Sequence, residues 1–469
     1  MLSITAMVLA SLGANAQEKP KNHGIELQYM DKTVRPNDDF FTFVNGTWVK
    51  NTEIPSDRTR WGSFDELRKN TDKDVLEILN KAVADKNLDP KSDQAKAVNL
   101  YKSIMDTVAR NKQGIAPLKP YLAKVNAIKN VKDLQALMIE MEPVGGLGFF
   151  GVGVGSDEKD SNKNVVRLGL GRLGLPDRDY YVSEEADSKE KREKYELHVA
   201  RMLQFIGEKP AEAKKNAAKI LALEIALSKP RLDRVEMRDD RKTYNPMTVA
   251  ELQKLTPSIH WETYLSGVGF PKLQTIIVSQ PKYMTALDEI FKQNKVEDWK
   301  EFLKWSLLNK STSMLSTDIE KANWEFYGKT LTGAVKQRPR NENALQTVNG
   351  TVGEALGKLY VAEKFPPEAK AKAESMIKNV FLAFENRINK LPWMTKATKA
   401  SAIEKLHKSR IKIGYPDKWE DYSALTITGP DKGGSYFENM KNISRWSYKK
   451  DIEKLSKPVD KDEWFMSPQ

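Results

Sequence analysis

Apolar residues recur at helical spacing over most of this chain. Val75, Ile78, Leu79, Ala82 and Val83 share one face of a helix predicted to open at Thr71, with Asp72 and Asp74 at its electropositive end. Val98, Tyr101, Ile104, Met105 and Val108 mark a second helix, and a third runs from Val131 to Met141, where Pro143 to Gly146 stop it. The period then changes from 3.6 to 2. Phe150, Val152 and Val154 alternate with Gly151, Gly153 and Gly155; beyond a polar stretch, Val166, Leu168 and Leu170 alternate with Arg167, Gly169 and Gly171. This predicts a β-hairpin with one apolar face and one glycine-rich face, the glycines implying close approach of another backbone. From Glu185 onward the pattern is helical again. Helices are predicted over Glu190–Ile206, Ala211–Leu227, Val249–Leu255, Tyr283–Gln293, Val296–Asn309, Ile319–Thr330, Pro367–Lys390 and Tyr436–Trp446. The Pro367–Lys390 segment is the clearest, with Ile377, Val380, Phe381, Phe384 and Ile388 on one face and Pro392 closing it.

One stretch follows neither period. Between Pro36 and Arg68 the chain carries Phe40, Phe41, Phe43, Trp48 and Trp61 among fixed charges. A buried Phe-sized side chain contributes roughly 1.5–3 kcal/mol, so this density predicts a segment inserted into a larger body.

Composition narrows the class. A chain of 469 residues exceeds one comfortable core, and 40% hydrophobic content with 10 Trp, 15 Tyr and 16 Phe is that of a folded protein. The net charge of +12 is dispersed: Lys alternates with Glu and Asp on helical stretches such as Lys399 to Lys412, which reads as solvated surface and argues against nucleic acid as a partner. Residues 1–16 hold an uncharged apolar run and end in Ala14-Asn15-Ala16, the pattern of a signal peptide without its basic n-region. The run is too short to span a bilayer, and no later stretch is long and apolar enough. With zero cysteines, disulfides and thiol chemistry are excluded, and export to a bacterial periplasm or the medium is the expectation.

Candidate chemistry is sparse. Two G-x-G-x-x-G matches, at Gly146-Gly148-Gly151 and Gly169-Gly171-Gly174, lack the strand-before, helix-after context that a dinucleotide site needs. The four histidines, His23, His198, His260 and His407, are scattered, with no H-E-x-x-H or H-x-x-E-H to place two imidazoles on one metal. No G-x-S-x-G elbow supports a serine nucleophile. Asp177 and Asp179, bracketing Arg178, read as a structural salt-bridge knot, and Glu224 on its helix is read the same way.

Several motifs together resemble the neprilysin and endothelin-converting-enzyme family of zinc metallopeptidases. They are the Pro36–Arg68 stretch, Gly174-Leu-Pro-Asp-Arg-Asp-Tyr-Tyr181, Phe326-Tyr-Gly-Lys329 with Gln337-Arg-Pro-Arg340, Gly353-Glu-Ala-Leu-Gly357, Leu391-Pro-Trp-Met394 and Trp464-Phe-Met-Ser-Pro-Gln469, in family order from about Asp31 to the end. The resemblance implies a mainly α fold: a large multi-helix lobe (71–414) with a small β-hairpin, which encloses substrate, and an incomplete second lobe. That second lobe would comprise an opening segment (31–70) and the start of a return (415–469). It implies peptide substrates, and zinc in the complete enzyme held through H-E-x-x-H and a later E-x-x-x-D. Neither motif occurs in these 469 residues, so the expectation is a chain that binds no metal, has no catalytic residue of its own and is inactive without its C-terminal catalytic domain. Arg60 and Arg68 match the family's R-x-G-x-F-D-x-L-R arginines and are the implied substrate-binding residues, suited to grip a peptide carboxylate through two parallel hydrogen bonds. The competing reading for each is a structural ion pair with Asp65 or Glu66. A second class of function, a stand-alone peptide-binding or cover protein without catalysis, fits the same residues.

Overall fold

The computed structural model describes residues 24–469, which gather into two units, one ending at Trp61 and the other beginning at Gly62. Residues 1–16 and His23 lie outside the described residues.

The first unit is built on Asp31. Its backbone N–H donates to the Phe43 carbonyl at 2.9 Å, and its carboxylate takes the Lys50 ammonium at 2.6 Å and the Thr33 backbone N–H at 3.1 Å. The Lys50 and Thr33 hydrogen bonds hold the Asp31 carboxyl at about 2. These contacts tie a loop to the helix Phe40–Asn51, whose start is fixed by Asp39 accepting the Thr42 N–H at 2.9 Å. Aromatic density alone did not announce this helix. Phe40 and Phe41 are exposed on it, and Gly46 is its one buried residue.

In the second unit the helix Ser63–Ala84 begins two turns before the expected Thr71. Its buried residues, Val75, Ile78, Leu79 and Ala82, all lie in the second half, which is why the apolar period is visible only there. Val75, Leu79 and Ala82 join one of two cores, shared with the helices Asp93–Met105 and Arg340–Lys364 and with Tyr422, Leu425, Ile427, Tyr436 and Ile443 from the last part of the chain. The larger core gathers the helices Val131–Met141, Ala186–Phe205, Pro210–Ser228, Pro281–Gln293 and Val296–Ser311 against a sheet.

That sheet has four strands where a hairpin was expected. β1 (Phe150–Ser156) and β2 (Asn164–Leu170) pair antiparallel with Phe150 opposite Leu170. β3 (Pro246–Thr248) and β4 (Thr275–Val278) complete the order β1-β2-β4-β3, with β4 parallel to β2. Strands of three and four residues are too short to show a period. The expected backbone approach is met at one end of the glycine-rich face and not at the other: a Cβ at Gly169 would lie 3.9 Å from the Gly151 carbonyl oxygen, while one at Gly153 would meet open space and one at Gly155 the Arg167 side chain. The close backbone approach falls just past β2, at Gly171, where a Cβ would lie 1.7 Å from the Gly148 carbonyl oxygen.

The Pro367–Lys390 helix has the predicted bounds but not the predicted burial. No residue of it, or of the following Lys396–His407 helix, is buried, and Val380 and Phe384 of its apolar face are exposed. The two helices pack on each other, Lys370 of the first also donates to the Tyr415 carbonyl and Asp417, and Trp393 is exposed at their junction.

Candidate functional site

The motifs that carried the resemblance resolve into two kinds, those that hold the scaffold and those that face solvent. Gly174 to Tyr181 is scaffold. Its Gly174 N–H donates to Glu224 Oε1 at 3.0 Å, Tyr181 donates its hydroxyl to Glu224 Oε2 at 2.9 Å, and the Leu175 N–H donates to Tyr181 Oη at 2.6 Å. Tyr327, from the Phe326-Tyr327 motif, donates to the Gly174 carbonyl at 2.9 Å. Glu224 is therefore a hydrogen-bonded node rather than the expected salt-bridge partner. Burial is the main cause pushing its carboxyl up to about 7, opposed by the donors from Tyr195, Tyr181 and Gly174. Asp177 and Asp179 do form a salt-bridge knot, but around Arg234 (3.4 and 3.9 Å), with Arg178 3.5 Å from Asp179.

Two further motifs meet at the C-terminal tail. Gly353 and Gly357 lie four apart on the Arg340–Lys364 helix, and a Cβ at Gly357 would sit 2.7 Å from Pro468 Cδ. Gln469 Nε2 donates to Asn349 Oδ1 at 2.6 Å and to the Gly353 carbonyl at 3.0 Å. The glycines are a groove for Ser467 to Gln469, and the helix is bent there by a non-helical Val352.

The solvent-facing residues are different. Arg68 is exposed on the first half of the Ser63–Ala84 helix, beside Phe64 (86% exposed) and Leu67. Residues three and four apart share a helix face, so Phe64, Leu67 and Arg68 form one apolar and basic strip. Among the described residues of its unit, Arg68 makes no ion pair, to Asp65, Glu66 or any other carboxylate. Arg60 is exposed at the end of the first unit and carries no side-chain salt bridge within it. The two arginines belong to separate units.

Three of the four histidines, His198, His260 and His407, lie among the described residues. His198 stacks on Phe326 with ring centroids 4.7 Å apart and meets Trp305 and Tyr327 edge-on; burial drives its pKa down to about 3, so the ring is neutral. The His260 backbone donates to Gln135 Oε1 at 2.9 Å, and His407 lies 3.1 Å from Glu385 on an exposed face. Among the described residues no three of His, Asp or Glu come together as a metal site. Zinc does not fit what this part of the molecule offers.

Sequence reasoning passed over one cluster, Lys310 and Lys441. They are 131 positions apart and carry no motif among 76 basic residues, so nothing short of the fold pairs them.

With that geometry in view, comparison with known proteins is informative. The sequence model of "Peptidase family M13" matches residues 36–416. Mouse endothelin-converting enzyme 1 is 28% identical over 466 residues, covering 94% of this chain and 59% of its own length. Neprilysin-3 of Drosophila melanogaster is 26% identical over 471 residues, again 94% of this chain and 59% of the relative. The chain thus spans about three fifths of the length of these relatives. Among solved structures, the Mycobacterium tuberculosis zinc metalloprotease ZMP1 in complex with inhibitor superposes with a TM-score of 0.86 at 33% identity, over 95% of this chain and 67% of that one.

Proposed function

The chain belongs to peptidase family M13, and from that premise we propose that it forms the helical, substrate-enclosing part of a neprilysin-like zinc metalloendopeptidase acting on peptides. In this reading zinc, which would supply the Lewis acid for hydrolysis, is held by residues outside those described, since the described ones offer no donor set for it. The contribution of this chain is to bind and orient. Arg60 and Arg68, each considered within its own unit, are the candidates to take the carboxylate of a peptide lying on the primed side of the cut bond, since a planar guanidinium matches two carboxylate oxygens.

One observation supports this assignment above others: both arginines are solvent-facing, and the ion pair to Asp65 or Glu66 that would make Arg68 structural is not formed. A charge-assisted hydrogen bond is worth about 1.5–3 kcal/mol, so its loss lowers kcat/KM roughly ten- to a hundredfold. The test uses the protein joined to its zinc-bearing part, as wild type, Arg60→Ala, Arg68→Ala and Arg60→Lys, on one peptide with a free and with an amidated C-terminus. The free acid is expected to lose far more than the amide, with little rescue by lysine. Equal losses on both substrates would assign the arginines to the fold.

We also propose that the protein is exported after cleavage behind Ala16. Among the described residues no helix is long and apolar enough to cross a membrane. N-terminal sequencing of protein from its native host should begin at Gln17; an intact Met1 in the cytoplasm refutes export.

A further inference from the structure

Between the end of the Val296–Ser311 helix, the loop at Val144–Gly146 and the helix Tyr436–Lys454 lies a cavity of about 160 Å³. That is an order of magnitude more than the ~10–15 Å³ a single water requires. Its polar lining is cationic and hydroxylic, with Tyr436 among the hydroxyls. Lys310 and Lys441 reach it together with Ser311, Ser313 and Ser444, and no carboxylate lines it.

The lysines are set there by the fold. The Lys310 ammonium donates to the carbonyls of Gly145 and Val144, the latter at 3.4 Å. Gly145 has φ of 100°, and a Cβ there would fall 2.0 Å from Lys310 Nζ, so only glycine leaves the ammonium this seat. Lys441 is 7% exposed, and its ammonium rests on ring faces, 4.3 Å from the Tyr121 centroid and 5.3 Å from that of Phe437. Among the described residues it has no hydrogen-bond acceptor or ion-pair partner, and the Ser311 hydroxyl, on a residue that is itself 4% exposed, has no partner either.

The surrounding charges do not neutralise the pair. Glu142 lies behind Gly146, but its Oε1 is taken by the Val152 N–H and its Oε2 by the Tyr264 hydroxyl, each at 3.0 Å. Glu438 and Arg445, on the same helix as Lys441, oppose each other, and Arg172 adds a further positive charge toward Lys310. Desolvation by the surrounding protein first, then like charges, lower both ammonium groups to about 8, although the Lys310 side chain as a whole is exposed and only Lys441 is buried. The Lys441 ammonium lacks an acceptor among the described residues, whereas Lys310 already donates to two carbonyls. Two like charges on one lining still call for a counter-charge.

We propose that this cavity binds a small divalent oxyanion of the phosphate or sulfate class, held between the Lys310 and Lys441 ammonium groups with the Ser311 hydroxyl as a further donor. Two cationic residues on one lining with no lining carboxylate favour a divalent ligand over chloride or a monocarboxylate. The inference is independent of the peptidase reading, since it needs neither zinc nor peptide.

The test is a thermal-denaturation titration of the full chain with inorganic phosphate, sulfate and acetate at constant ionic strength set by chloride. Phosphate and sulfate should raise the midpoint saturably and acetate should not. Lys441→Met keeps the apolar stem over the two rings, and Lys310→Gln keeps a donor for the Gly145 carbonyl. Each should weaken the apparent affinity roughly ten- to a hundredfold, as expected for losing one charge-assisted contact. The wild type alone provides a second readout: phosphate should protect Lys310 and Lys441 from amine acylation, followed by mass spectrometry, while exposed Lys418 stays reactive. No saturable shift beyond chloride, an equal response to acetate, an unchanged affinity in folded variants, or uniform labelling with and without phosphate would each overturn the site.

Discussion

Replacing Glu224 by glutamine should turn a buried carboxyl into a measurable pH signature. Glu224 is 1% exposed and its carboxyl is pushed from 4.5 up to about 7, mainly by burial. Its folded pKa therefore lies above its unfolded one. Between about pH 4.5 and pH 7 the unfolded chain gives up this proton while the folded chain keeps it, so the contribution to stability is full below 4.5 and is lost as pH rises through 7. At about 1.4 kcal/mol per unit, the loss amounts to about 3 kcal/mol. Glutamine cannot ionise, so it removes this dependence. It also costs something at every pH. Glu224 accepts from the Gly174 N–H at 3.0 Å and from the Tyr181 hydroxyl at 2.9 Å, and the one oxygen of an amide cannot serve both. One mispaired buried donor costs about 1–3 kcal/mol. Glu224→Gln is thus expected to be the less stable protein at pH 5 and to draw level with, or overtake, the wild type at pH 8. Urea unfolding followed by tryptophan fluorescence at pH 5, 6, 7 and 8 gives the difference between the two proteins. Other carboxyls raised by desolvation, such as Glu142 and Glu354, are common to both and cancel. A difference that stays constant from pH 5 to pH 8 would show that Glu224 does not titrate in that range, and the argument from burial would fail.

Two other consequences are testable on the same material. Gly357→Ala would gain up to ~1 kcal/mol from helix propensity alone; because the new Cβ would lie 2.7 Å from Pro468 Cδ, the tail should instead detach, and a carboxypeptidase should remove Gln469 faster than from wild type, whereas unchanged trimming means the groove is not what holds the tail. The purified chain, with no metal cluster among its described residues, should retain no stoichiometric zinc after dialysis and cleave no peptide; one tightly held zinc per chain with chelator-sensitive hydrolysis contradicts this.

Sequence alone settled much of the secondary structure and the family, because both depend on short-range pattern. The helices at Val249–Leu255 and Pro367–Lys390 have the bounds their periodicity predicts, since an apolar stripe and flanking Pro or capping residues act within a few turns. The Arg340–Lys364 helix was not legible. It carries Thr347, Thr351, Gly350, Gly353 and Gly357, all poor helix formers, and exists because Ala344, Leu345, Val348, Ala355 and Leu356 are buried and because its glycines admit the tail. Periodicity also could not say which apolar faces find a partner: Leu79 is fully buried, while Phe384 on the more regular helix faces solvent. The candidate arginines came from a local motif and needed no fold to be named; only the fold showed that Arg68 pairs with neither Asp65 nor Glu66. Lys310 and Lys441 had no sequence signal at all. Their pairing is a property of how distant helices pack, and packing brings together residues whose separation along the chain carries no information about their separation in space.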